Sequence, residues 1–423
     1  MTTTTATLVA EHTARFSARH LDGHSVGSGV GLWLLLALLA PLTEDDARRR
    51  LEAELGTDAD DAARRAAKLL GDLHPAVKTA IALWNRPELL TSDFDHWIDS
   101  LAPGLEHGPM PDQAHANAWA HRHTLGMVPR FPVLIGADTA ILLASAVATD
   151  VTWDAPFTTI DADHLGGTFG SSITQALRAD DRHMQVLADT DAAGIVAVHA
   201  ADATTALRVM SVIGPPDATT EQLHLATHQV SRLLAGDDRR AGWVDLFDLE
   251  LGPGHAWTLT EDRVMRPVRA DPIQVVRTTM AAWRAAGDHD LSGDPGIAET
   301  SAVVARFMDD PRGRTVMAAR QAAMAEFTRE GFRAAALTSM AAGGNSPREE
   351  VEQRRRIAEV RFNRPYAVLA TALGPRDRVS SWTGVPVFSA WVEEVEDTPA
   401  VDQRQAADER RAEMRSRSAG VEG

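Results

Sequence analysis

Residues Val30 to Leu42, VGLWLLLALLAPL, carry no charge and scarcely a polar atom. A membrane span needs about 20 such residues, so this run falls short of one. A helix that is apolar on every side must instead be enclosed by protein on every side. That demand constrains the fold, because the chain has to wrap layers around a buried helix. With 423 residues, 44% of them hydrophobic, it has the material to do so, in one large domain or in two or three. The continuation, TEDDARRRLEAELG, reads as a second helix with Thr43 as its N-cap and acids in its first turn. The opening segment, MTTTTATLVAEHTARF, lacks the basic start and apolar stretch of a secretory signal, which predicts a cytoplasmic chain.

Around that run the first third reads mostly helical, with turns at HGPMPDQ and GMVPRFP. Short runs rich in β-branched residues follow: AILLASAVATDVTW, MQVLADT, AAGIVAVHA and LRVMSVIGPP. Gly, Pro and Asp bound them, as they bound strands. TEQLHLATHQVSRLL returns to a 3.6-residue period, GWVDLFDLELG and HAWTLT read as strands, and VRFNRPYAVLATAL with VPVFSAWVEEVE predicts a closing strand pair. Helices interrupt the strands irregularly, so the class is α+β and not an alternating βαβ sheet. No repeat and no long linker divides residues 1–400. Residues 401–423 are charged and nearly free of large apolar side chains, which predicts a mobile tail.

The chemistry is mostly excluded. A net charge of −17 supplies no basic field for DNA or RNA. No cysteine is present, so there is no disulfide, thiol nucleophile or thiolate metal site. No phosphate-cradling glycine loop occurs. His224 and His228 stand four apart on a helix, a metal-ligand spacing, but no glutamate lies between them, and the pair reads as ordinary polar-face histidines. His115, His121 and His123 cluster in sequence without converging on a helix. Asp288, Asp290, Ser292, Asp294 and Glu299 repeat the ligand spacing of an EF-hand loop, with Gly293 at the sixth place. Pro295 and the lack of a partner loop favour a solvated turn. No metal, no cofactor and no catalytic residue is expected.

One stretch remains, EGFRAAALTSMAAGGNSPREE from Glu330. Its alanines favour a helix, while Phe332, Thr338, Ser339 and Gly343-Gly344 oppose one. Read with period two, one face carries Phe332, Ala334, Ala336, Thr338, Met340, Ala342 and Gly344, small for the most part and without charge. The single charge between Phe332 and Gly344 is Arg333, on the other face. An exposed loop has no reason to avoid charge over such a length. A loop that can become a strand is favoured over a helix.

From about Thr13 to Pro399 the chain resembles the serpins. ANAWAHRHTLGM is similar to their N-x-W-V-x-x-x-T-x-G-x-I segment at Asn117, Trp119, Thr124 and Gly126. Trp153, Pro156 and Phe157 match W-x-x-P-F at the end of a central-sheet strand. REGFRAAALT resembles the alanine-rich hinge of the reactive loop, Phe362, Asn363, Pro365 and Tyr366 the segment after it, and PVFSAWVEEVEDTP the closing strand. The resemblance implies one domain over residues 1–400, with helices around a large central β-sheet, two smaller sheets and an exposed reactive loop. It implies a protease inhibitor, not an enzyme, that acts as a suicide substrate on a protease of the serine class. A monomer with no nucleic-acid or membrane partner is implied as well, and an extracellular setting becomes possible. The hinge would be Gly331, Phe332, Arg333, Ala334, Ala335, Ala336, Leu337 and Thr338. The scissile region would be Gly343, Gly344, Asn345 and Ser346, with the cut at Asn345-Ser346. The shutter and breach that control opening of the sheet would be Ser28, Ser145, Trp153 and Gln321. Three departures stand out. The family's S-P-x-S is Ser28-Gly29-Val30-Gly31, its shutter asparagine and histidine become Ser145 and Gln321, and Phe332 fills a place usually held by a small hydroxyl residue. A phenyl ring there is expected to slow insertion or to demand a matching cavity. A serpin-fold binding or structural protein without inhibition is the alternative reading.

Overall fold

The computed structural model describes residues 3–91, 93–94, 105–128, 130–131, 134–136, 139–179, 181–235, 242–267, 273–307, 316–332 and 350–397. Eight α-helices occur among them: α1 Thr5–His20, α2 Gly29–Leu39, α3 Asp45–Leu55, α4 Ala59–Gly71, α5 Gln113–His123, α6 Gly167–Gly170, α7 Thr220–Ala235 and α8 Pro295–Val304. The apolar run is α2, and each of its eleven residues is buried. Ser28 caps it, its Oγ accepting from the Gly31 amide at 3.4 Å. α1 lies against α2 with Leu8, Val9, His12, Thr13 and Phe16 on the inner side, the spacing of an amphipathic helix. The cap expected for α3 is different. Glu44 takes the N-cap place without a side-chain bond, while Thr43 donates its hydroxyl to the Ala40 carbonyl at 2.6 Å.

Three sheets accompany the helices. The first is antiparallel throughout, in the order β1 (Ser25–Gly27), β21 (Pro386–Val392), β20 (Tyr366–Ala372), β10 (Leu207–Ile213), β9 (Gly194–Asp202), β8 (Met184–Thr190) and β11 (Trp243–Val244). One face packs on the central core and the other on α7, where Leu223, Ala226 and Val230 meet Val198, Met210, Leu369 and Trp391. The second runs β12 (Gly252–Pro253), β13 (Trp257–Pro267), β19 (Glu350–Arg361), β14 (Ile273–Met280), β7 (Gln175–Arg178) and β6 (Thr158–Asp161), with β14 and β19 parallel. The third comes in two pieces. β15 (Trp283–Asp290), β17 (Arg320–Phe327), β18 (Gly331–Phe332) and β5 (Val151–Thr152) form one; β16 (Val316–Ala318), β4 (Thr139–Ala148), β2 (Lys78–Asn85) and β3 (Leu105–Pro109) form the other. β16 runs into β17 and β4 into β5, so the pieces are halves of a single central sheet.

The α+β class, the buried helix and the closing pair β20–β21 agree with the sequence reading. Two elements do not. KTAIALWN, within the third expected to be mostly helical, is strand β2, buried from Ala80 onward. A strand covered on both faces loses the alternation that identifies strands. GWVDLFDLELG is a strand at Trp243–Val244 and again only at its last residue, Gly252, and turns between them, with the Asp245 carboxylate accepting from the Phe247 amide at 2.8 Å.

Two further expectations need correction. His224 and His228 are not on a polar face. They are 1% and 4% exposed beneath α7, with His224 5.9 Å from Trp391. The acidic run from Asp288 is a solvated turn only at Ser292 and Gly293. Asp288 and Asp290 belong to β15 and face Arg320 at 3.6 and 3.7 Å. Asp294 is 1% exposed, accepts from the Gly296 amide at 3.0 Å and contacts His20 and Arg19. Glu299 turns away to Arg50. These carboxylates diverge and share no centre. No helix among the described residues is long and apolar enough to cross a membrane.

Candidate functional site

The halves of the central sheet meet in one short ladder. β16 pairs in parallel with β4, from Val316 opposite Thr139 to Ala318 opposite Leu142. Beyond it the inner edges of β17 and β4 have no ladder between them among the described residues, although β17 is fully paired with β15 on its outer side and β4 with β2. A shallow recess with only about 20 Å³ of room, open to solvent, lies over this seam. Trp119 and Phe131 line it from above, Ala144 and Ala146 from β4, Arg320 and Ala322 from β17. Alanines stand on both edges.

β18 closes the head of the seam. Phe332 lies opposite Phe327 of β17 and also opposite Val151 of β5, while Gly331 faces Thr152. The turn leading into it is held by Thr328, whose amide and hydroxyl both donate to the Gly331 carbonyl, at 3.0 and 3.1 Å. Trp153 grips the same turn. Its amide donates to the Glu330 carbonyl at 3.0 Å and its indole Nε1 to the Thr328 carbonyl at 3.1 Å. Phe332 itself is 3% exposed, with the Trp283 ring 6.2 Å away at a steep angle and Trp283 stacked on Phe327. In this structure the ring is thus already enclosed among aromatic side chains. The other hinge residues, Arg333 to Thr338, and the scissile candidates Gly343 to Ser346 lie outside the described residues, as does the segment 401–423.

At mid-sheet the shutter candidates come together beneath α2. The Ser28 amide donates to the Gln321 Oε1 at 2.6 Å, and the Gln321 Nε2 donates back to the Ser28 carbonyl at 2.9 Å. The Ser28 hydroxyl donates to the Val387 carbonyl of β21 at 2.7 Å. Ser145 approaches from β4. A Cβ on Gly31 would lie 3.0 Å from its Oγ and 3.4 Å from Gln321 Nε2, so the absence of a side chain at Gly31 lets both strands reach the helix. Trp153 belongs to a separate place, the head of the seam.

α5 lies across β4 and the recess, and its sequence signature has a mechanical meaning. Asn117 accepts from the Phe131 amide at 2.8 Å, Trp119 donates to Glu106 at 3.0 Å, and Thr124 ties the helix end by accepting from Val128 at 3.0 Å. Gly126 follows with φ +75°, a conformation that favours glycine. His123 contacts Glu106 and His115 contacts Asp112, so the three histidines of this helix do diverge. The sequence reading missed Phe327, Trp283 and Thr328, which hold the hinge. Each is distant in sequence from a partner, and no local pattern marks it.

No protein-family model matches the chain, and no curated protein matches it in sequence. Solved structures do match it. Tengpin, a thermophilic serpin in its native state, aligns over 92% of this chain and 94% of its own with a TM-score of 0.61 at 13% identity. The fold is that of a serpin. Serpin48 of the insect Tenebrio molitor, described as a highly specific serpin, covers 92% of this chain and 98% of its own, with a TM-score of 0.59 and 13% identity. Human thyroxine-binding globulin, solved with thyroxine, covers 93% and 99% at 0.58 and 12%. Serpin-fold neighbours thus include a thyroxine-binding globulin as well as proteins described as serpins. In this fold the divided sheet of this chain is the central sheet, with β18 at its head.

Proposed function

We propose that this chain is a serpin-type protease inhibitor that acts as a suicide substrate. A serine-class protease attacks the segment after Phe332 and is acylated through its own nucleophile. The freed segment then enters the central sheet as a strand and carries the enzyme with it, a recognised use of strand addition. No catalytic residue of this chain is required.

The observation that carries this reading is the double register of β18 at the head of an unpaired seam. Continued without a bulge, that register sets Ala334 between Ala325 and Thr149, Ala336 between Ala323 and Val147, and Thr338 between Gln321 and Ser145. The small face meets small residues of the core side. Arg333, on the opposite face, comes between Glu326 and Asp150, so the lone charge is met by two carboxylates. Two completed ladders of about a dozen hydrogen bonds at about 1 kcal/mol each give a large downhill step. The native state is then a kinetic trap.

The test is to mix the protein with a panel of serine proteases and look for a covalent complex that survives SDS. Nicking within residues 333–349 should also raise the melting temperature. Cleaved, uncomplexed product with an unchanged melting temperature selects the second reading, a non-inhibitory serpin-fold binding protein. Phe332 favours that second reading, because a buried ring at the head of the seam resists movement of the hinge.

A further inference from the structure

Away from the seam, the first and second sheets leave another opening between them. β19 pairs with one side of β14, but β7 pairs with the other only at Thr279 and Met280. From Ile273 to Arg277 that side of β14 has no ladder among the described residues. β8 faces it, and the Thr278 hydroxyl donates across the gap to the Gln185 amide oxygen at 2.7 Å. Beside this bridge lies a cavity of about 490 Å³, open to solvent. Small-molecule sites run from about 300 to 1,000 Å³, whereas the recess over the seam has room for about 20 Å³.

Local rules build the wall. β11 is only Trp243 and Val244, laid against Ala188 and Leu187 of β8. Leu246 then enters the core. The turn around it is closed by the Asp245 carboxylate and by the Asp248 amide, which donates to the Asp245 carbonyl at 3.2 Å. Arg356 of β19 fixes the turn by donating to the Phe247 and Leu249 carbonyls. Trp243, Phe247, Val186 and Val276, all half-buried, thus line the cavity together with the exposed Asp245 and Asp248.

These groups lack the partners that their kind finds elsewhere in the chain. Every other described tryptophan has a ring beside it or donates its indole N–H to a carbonyl. Among the described residues Trp243 does neither, and Phe247 has no ring neighbour. The Asp248 carboxylate has no hydrogen bond or ion pair there, and that of Asp245 has only the Phe247 amide at 2.8 Å. No basic side chain lines the cavity, and Arg356 is turned to carbonyls.

We propose that this cavity binds a small organic cation, an ammonium or guanidinium carried on an apolar or aromatic body. The faces of Trp243 and Phe247 attract such a charge, the valines cover the body, and two unmatched carboxylates complement it. An anion would meet two like charges and no basic group. The lining shares no residue with the seam or the hinge, so this site holds or fails separately from protease inhibition.

Three probes of one shape test it: naphthylmethylammonium, neutral naphthylmethanol and anionic naphthoate, each titrated with the full chain at low salt and followed by ligand-observed NMR. The ammonium should bind about 10-fold more tightly than the alcohol, and the naphthoate more weakly than either. Added salt should narrow the gap. Asp245→Asn with Asp248→Asn should abolish the preference while keeping the turn, because an asparagine oxygen can still accept from the Phe247 amide. Asp248→Asn alone, at a carboxylate with no internal bond to lose, should already narrow it. Trp243→Leu should weaken the ammonium more than the alcohol. Equal affinity for ammonium and alcohol, or no binding of the ammonium at millimolar concentration, overturns the proposal on the unmodified chain. A charge preference undiminished in folded Asp248→Asn and Asp245→Asn/Asp248→Asn overturns it equally.

Discussion

Phe332 shows how one side chain can set the character of a hinge. Truncating a buried phenylalanine costs about 3–5 kcal/mol when the surroundings cannot collapse. A ring on a two-residue strand has another option, because the strand can leave its place and let water in. Phe332→Ala should therefore lower the melting temperature less than Phe16→Ala in the core does, yet raise the rate of proteolysis after residue 332 several-fold. Equal losses of melting temperature without faster cleavage contradict the hinge assignment. Gly31 poses the complementary problem. Alanine would improve α2 by up to about 1 kcal/mol in helix propensity, but its Cβ would crowd the Ser145 hydroxyl at 3.0 Å. Gly31→Ala alone should destabilise, and adding Ser145→Ala, which removes the crowded oxygen, should recover most of the loss. Thermal melts of the single and double variants measure that coupling.

At the scale of elements, the charge pattern of the hinge gives a sharper test than its composition. In the inserted state proposed above, the register continued past Phe332 would set Arg333 between Glu326 and Asp150, and Glu326 already accepts from Arg284 at 3.0 Å. Arg333→Glu would bring a third carboxylate to that place as the strand enters. It should lower the yield of SDS-stable complex and raise the fraction of free, cleaved chain, whereas Arg333→Ala should change the partition much less. Identical partition for Arg333→Glu and Arg333→Ala would remove the register from consideration. The alternation proposed after Phe332 falls on residues outside those described. α2 was legible because full enclosure leaves no polar position. β2 was not, since the same enclosure erases a strand's period of two. His224 and His228 misled for a related reason: polar residues at helical spacing resemble a solvated face, and only the packing of α7 on β21 reveals that they are buried.

The whole molecule carries several buried groups whose titration differs between folded and unfolded states, and their order fixes the acid limb of its stability. Burial holds His224 down to about 4, despite its bond to the Leu21 backbone, and His228 to about 3, with His224 and Arg232 lowering it further. For a histidine with a depressed value, stability is complete above the unfolded value of about 6.5 and falls as the pH drops, because the unfolded chain takes up the proton first. Each fully buried ring forfeits on the order of 3 kcal/mol before the folded state can accept a proton. The carboxylates respond later. Glu54 is held at about 2 against its own burial by bonds from His12 and Arg19, and Asp72 at about 2 by Arg378, Ser380 and Ser381. Their stabilisation is present above the usual carboxylate values near 4 and disappears toward pH 2. Loss of stability should thus begin near pH 6 and steepen below 4. Replacing His224 and His228 together by leucine should flatten the upper part, between pH 6.5 and 4, and leave the lower part in place. Denaturant titrations at half-unit intervals of pH would reveal this, and an upper limb that persists in the double variant would transfer the effect to other buried histidines.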